Sequence, residues 1–130
     1  MKIQPNLKYA NSDEWVAVEG KTATVGISDF AQDQLSDIVF VEVNASVGDT
    51  VKKNATVATV ESVKAAADVI SPVSGKVVAV NDSLSSTPEL VNSDPFGAAW
   101  LLKLELSDPA ELNNLMDAAA YEKYCTDRSH

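Results

Sequence analysis

Apolar and polar positions alternate in short bursts along most of the chain, and the bursts end in Gly, Asn, Asp or Ser. "EWVAVEG" alternates from Trp15 to a turn at Gly20 and is followed by "ATVGI", the pattern of a β-hairpin. In "SDFAQDQLSD" the period changes: Ser28 is placed to cap a helix of about two turns that shows Phe30, Ala31 and Leu35 on one face. "IVFVEV", Ile38 to Val43, is continuous and β-branched, which predicts a strand buried on both faces or nearly so. A turn at Gly48 and Asp49, a strand in "ATVATVES" and two more in "DVISPVSGKVVAV" follow, then a long polar loop, "NDSLSSTPELVNSDPFG". "AAWLLKLEL" alternates again, so that Trp100, Leu102, Leu104 and Leu106 face one way. Beyond it, Ser107 or Asp108 caps a helix with Pro109 in its first turn, carrying Leu112, Leu115 and Met116; "DAAAYEKYC" continues as a second helix and "TDRSH" frays.

Many short strands at this spacing predict a mainly β fold, a flattened barrel or sandwich hybrid with one short internal helix and a helical C-terminus. No strand–helix–strand alternation and no change of composition divides the chain, so residues 1–130 read as a single domain. There is a faint internal echo. "SVGDTVKKNATVATV" and "SPVSGKVVAVNDSL" each hold a valine-rich strand entered through a Val-Gly or Ser-Gly turn, suggesting two quasi-symmetric halves. Lys64 lies between them, sixteen residues after Gly48 and eleven before Gly75.

Composition narrows the function by exclusion. Ten basic against nineteen acidic side chains give a net charge of −9, which repels phosphate backbones and disfavours nucleic acid as a partner. No apolar run approaches the roughly 18–20 residues a spanning helix needs. The first residues resemble neither a secretory signal nor a transit peptide, so the expected compartment is a bacterial cytoplasm before a mitochondrial matrix. The single histidine, His130, is the last residue, where it is badly placed as a base for a Ser or Cys nucleophile. One cysteine, Cys125, and that histidine cannot close a zinc site, and no glycine-rich phosphate loop is present. Carboxylate pairs such as Asp29 with Asp33 are most simply solvated charge. Trp15 and Trp100 read as core anchors.

Lys64 is what remains. "ESVKAAAD" sets a long amine among small neighbours between two strands, so its ammonium should project from a turn into solvent, open to an enzyme that acylates it. An ordinary surface lysine and a Schiff-base lysine are the alternatives, the latter wanting a desolvated pocket and an acid partner.

A lysine in that setting, "VGD" before it and "SGKV" after it resemble the lipoyl and biotinyl carrier domains. Val63 and Ala65 stand where biotin carriers normally place methionines, which disfavours biotin. "LKYANSDEWV", "GISDFAQDQLSDIVFVEV", "VESVKAAADVISPVSGKVVAVN", "PELVNSDPFGAAWLLKL" and "SDPAELNNLMDAAAYEKY" resemble the H-protein family of the glycine cleavage system over about residues 7–124. The resemblance implies a carrier, not an enzyme, with lipoic acid in amide linkage on Lys64. The arm takes an aminomethyl group from a PLP-dependent glycine decarboxylase and presents it to a tetrahydrofolate-dependent aminomethyltransferase. Dihydrolipoamide dehydrogenase then reoxidises it, and a lipoate ligase or an octanoyl or lipoyl transferase installs it. It further implies a resting cleft for the loaded arm at Ser12, Glu14 and Asp68, recognition by the modifying enzyme through Glu61 and through Gly75, taken as a close turn facing the lysine hairpin, and a monomer that docks on each partner in turn. Two other readings stay open: an H-protein-like donor that relays lipoyl groups to other enzymes, and an unmodified β interaction module. Members usually carry His-Glu-Trp where this chain has Asp13-Glu14-Trp15, so whatever that histidine contacts is replaced here.

Overall fold

The computed structural model describes residues 2–128. Among these residues nine strands form two sheets. Six of them, in the order β1 (Lys8–Tyr9), β2 (Glu14–Glu19), β3 (Thr22–Ile27), β9 (Leu102–Leu106), β8 (Gly75–Val80) and β5 (Thr50–Val51), make the larger sheet. The smaller has β4 (Ile38–Val43), β6 (Thr56–Ser62) and β7 (Ala66–Ile70), with β6 in the centre. Val25, Val41, Val60, Val77, Leu102 and Leu104 are buried in one continuous core to which both sheets contribute. Along β9 alternate residues point inward, Leu102, Leu104 and Leu106. Trp100 leaves this series and packs against a second cluster made by Tyr9, Trp15, Tyr121 and Cys125.

The hairpin of β2 and β3 turns at Gly20, whose φ of 64° is the left-handed conformation that glycine adopts without strain. Trp15 lies opposite Gly26, and a Cβ on Gly26 would come within 2.6 Å of the indole, so the missing side chain is what seats the ring. Ser28 caps α1 (Asp29–Leu35), its hydroxyl accepting from the Ala31 N–H at 3.1 Å. The internal echo has a structural counterpart: β5 pairs with β8 and β6 with β7, and both antiparallel pairings centre on the same turn at Val63 and Lys64. The Gly48 turn joins this arrangement through its N–H to the Val77 carbonyl, 2.9 Å.

Four further expectations are corrected. β4 is an edge strand, and a bulge between Ile38 and Phe40 leaves Val39 and Phe40 exposed while Ile38 and Val41 are buried, so it is not covered on both faces. The polar stretch after β8 is not simply loop: a 3-10 helix at Asp82–Ser85 and the short α2 (Leu90–Ser93) bury Leu84 and Val91. Side-chain hydrogen bonds order that stretch, the Asn92 carbonyl accepting from the Ile38 N–H (2.8 Å) and its amide donating to the Ser36 carbonyl (2.9 Å). Asp108 does cap a helix, through Ala110 N–H at 3.2 Å, but Pro109–Asn114 winds as 3-10. Finally, α3 (Ala118–Arg128) carries Thr126, Asp127 and Arg128 in regular helix where fraying was expected; Ser129 and His130 lie outside the described residues. No helix among the described residues is long and apolar enough to cross a membrane.

Candidate functional site

Lys64 sits at the tip of the β6–β7 hairpin. The strands pair through Glu61 with Ala66 and close with the Ser62 N–H on the Ala65 carbonyl, 2.7 Å. The hydroxyl of Ser62 accepts from the N–H groups of Lys64 (3.3 Å) and Ala65 (3.0 Å), a serine-centred turn that needs no positive φ and hence no glycine. The tip is also held from the residue just before β4, because the Val63 N–H donates to the Asp37 carbonyl at 3.0 Å. The backbone is pinned while the side chains are free: Val63, Lys64, Ala65 and Ala66 are all exposed, and the Lys64 ammonium has no hydrogen bond or ion pair with any described residue.

Ser12, Glu14 and Asp68 are brought together. They line one cleft of about 190 Å³, floored by Ile27, Leu35, Val60 and Val69. Asp68 lies on β7, four residues along the chain from Lys64 and so at most roughly 13 Å from it at the rise of a strand. The two carboxyls differ. Glu14 is 2% exposed and receives a short hydrogen bond from the Ser12 hydroxyl. Its burial pushes the carboxyl from the ordinary 4.5 up to about 7; the Ser12 hydroxyl and the Ile70 N–H oppose that rise and the charge of Asp13 adds to it. Asp68 is exposed, on the outward face of β7 beside the Thr59 hydroxyl (3.4 Å), and stands at the rim. An apolar floor suits an aliphatic arm and the carboxyls suit an ammonium at its end, so the residues present fit a lipoyl-lysine with an amine-bearing cargo.

Glu61 is exposed on the outer face of β6, directly across from Phe40 and three residues from the lysine. Gly75 is not a turn. It opens β8, pairs with Val51 and Leu106, and has no positive φ; a Cβ there would run into the Glu105 carbonyl oxygen. Close packing of β8 on β9 therefore demands glycine at this position, whatever approaches the hairpin. The apolar floor of the cleft was not among the sequence-derived candidates, because Ile27, Leu35 and Val60 look like any core residues until the sheets assemble.

Over residues 7–128 the chain matches the family model for the glycine cleavage H-protein. The chain belongs to this family. A glycine cleavage system H protein of Symbiobacterium thermophilum is 55% identical over 122 residues, 94% of each chain. Another relative, the mitochondrial glycine cleavage system H protein 2 of Arabidopsis thaliana, is 51% identical over 95% of this chain and 78% of its own. The fold agrees as well: the crystal structure of a glycine cleavage system H protein from Mycobacterium marinum superposes with a TM-score of 0.84 at 30% identity, covering 98% of this chain and all of that one. H proteins are lipoyl carriers of the glycine cleavage system and not catalysts.

Proposed function

We propose that Lys64 is the residue that bears the lipoyl group. The observation that carries this reading is the exposed ammonium on a pinned hairpin tip, without a partner among the described residues. A modifying enzyme must enclose the amine to acylate it, and small, exposed neighbours at Ala65 and Ala66 leave room to do so. When attached, the group supplies a dithiolane that takes up the glycine-derived aminomethyl cargo and later yields it. The protein's own part is to present and to shelter. The tip holds the arm's root still, so that the free end samples a small volume at high effective concentration. Glu14, with Ser12 donating to it, receives the cargo's ammonium; Asp68 adds charge at the rim. A carboxyl poised near 7 is half ionised in neutral solution and becomes a full acceptor when a cation arrives beside it.

The protein works with the other components of the glycine cleavage system. In the finer reading those are a PLP-dependent glycine decarboxylase, a tetrahydrofolate-dependent aminomethyltransferase and dihydrolipoamide dehydrogenase, visited by a monomer in a bacterial cytoplasm. Glu61 serves the lipoate ligase or transferase as a charge to recognise, and Gly75 supports the same step indirectly by keeping β8 tight against β9. Intact mass of protein expressed in lipoate-replete cells tests the central claim. A lipoyl-sized increment that disappears in Lys64→Arg supports it; unmodified wild-type protein, or modification surviving the substitution, overturns it.

A further inference from the structure

The loop that supplies Glu14 is tied to the last helix of the chain. Ala10, Asn11, Ser12 and Asp13 connect β1 to β2, with the Asp13 N–H on the Ala10 carbonyl (3.0 Å) and the Ala10 N–H on the Glu14 carbonyl (2.9 Å). Asp13 has φ 76°, the left-handed residue that such a turn requires. Asp, Asn and His are the non-glycine types most enriched there, so the backbone accepts aspartate in place of the usual histidine. The side chains are not equivalent. The Asp13 carboxylate receives both prongs of Arg128, Nη2 to Oδ1 at 2.6 Å and Nη1 to Oδ2 at 3.2 Å, and the Tyr121 hydroxyl donates to Oδ1 at 2.8 Å. Tyr121 Oη lies 2.6 Å from the Ser28 hydroxyl that caps α1, and its ring stacks on Tyr9 at 4.4 Å. Arg128 in turn lies over the rings of Phe30, 4.3 Å, and Tyr124, 4.0 Å. An imidazole offers no two-pronged acceptor for a guanidinium.

We propose that α3 is a latch on the cleft: Arg128 and Tyr121 hold the Asp13 carboxylate, and thereby aim the Ser12–Glu14 segment and screen Glu14 from its neighbour's charge. The proposal deepens the carrier reading and rests on it for the cleft's purpose. Facing Glu14 are the Ser12 hydroxyl and Asp13 from its own loop, the Ile70 N–H and Asp68 from β7, and Gln34 from α1; the cleft lining includes no cationic side chain. Arg128 is a positive charge supplied from outside that lining, and it acts through Asp13, whereas Lys53 lines the adjoining cavity beside Ser12. Both α3 residues are positioning residues.

Titration of the Glu14 carboxyl by 13C NMR, on unlipoylated protein carrying labelled glutamate, tests the latch. Arg128→Ala should raise the Glu14 midpoint by about half to one pH unit, as the bare Asp13 charge makes ionisation next to it harder. Arg128→Lys, keeping the charge without the fork, should raise it less. Asp13→Asn should lower it, and in that background Arg128→Ala should have no further effect. Tyr121→Phe keeps the ring on Tyr9 and should raise the midpoint on its own. Equal shifts from Arg128→Ala in both backgrounds, or no shift in a variant whose helix is intact by circular dichroism, would overturn the latch. The readout involves no arm, so a failure of lipoylation at Lys64 cannot imitate either result.

Discussion

Two turns of this protein do opposite things with charge. At the β6–β7 tip the backbone is held by Ser62 and Asp37 while the Lys64 amine is left free. At the β1–β2 loop the side chains themselves are held: Glu14 by Ser12 in a buried setting, and Asp13 by Arg128 and Tyr121. Under the function proposed above, the difference follows from the task. A root from which an arm must swing cannot spend its amine on a partner. A receiving carboxyl must already be desolvated and aimed, because ordering it at the moment of contact would cost binding energy.

The comparison breaks most sharply at the lysine. Lys64→Arg keeps the charge and the exposed tip but offers no acylable amine, so lipoylation should vanish completely by intact mass while the melting temperature stays at the wild-type value. Next is the pH dependence set by Glu14. Its folded-state value, about 7, lies above the ordinary 4.5, so the folded protein binds the extra proton between those values. The sign follows: stability is fullest below the unfolded value and declines as pH rises towards 7, by up to about 3 kcal/mol in total. Urea unfolding at pH 5 and pH 8 should show that decline, and Glu14→Gln should flatten it; a parallel slope in the variant would remove Glu14 as its source. Gly75→Ala should destabilise by about 1–3 kcal/mol through the clash with Glu105. Its lipoylation, measured well below the melting transition, should match the wild type, because the glycine acts through the fold; a loss there would show that the modifying enzyme touches it. The smallest effect is expected at Val63, 67% exposed beside the lysine. Val63→Ser should change unfolding free energy by no more than about 0.5 kcal/mol, which a larger loss would contradict by showing that the tip carries packing.

Much of the fold was legible because its signals are local. The turns at Gly20 and Gly48, the Ser28 cap, the Asp108 cap and the alternation on β9 depend on neighbours within a few residues. Errors fell where distant residues decide. "IVFVEV" has the composition of a buried strand, yet its place at an edge, with a bulge, exposes Phe40. "NDSLSSTPELVNSDPFG" is polar enough for a loop, but Asn92 finds Ile38 and Ser36 across the structure and orders it. The site divides in the same way. Lys64 stood out through the small residues around it and the paired echoes on either side; Ser12, Glu14 and Asp68 entered through family resemblance, with nothing local to say that they share a cleft. Nor did any local pattern link Asp13 to Arg128.

By itself, then, the sequence determined where the chain turns, which strands alternate and that one lysine would stand exposed between two similar segments, because those properties follow from backbone sterics and side-chain periodicity over short distances. Tertiary structure alone decided that Glu14 is buried and poised near 7 while Asp68 is wet, that Gly75 is needed by a neighbouring backbone, and that the last helix grips the loop beside the cleft. Burial and ion pairing depend on which surfaces meet. Here they are set by contacts between residues far apart in the sequence, such as Gly75 with Glu105 and Asp13 with Arg128, which a local pattern does not encode.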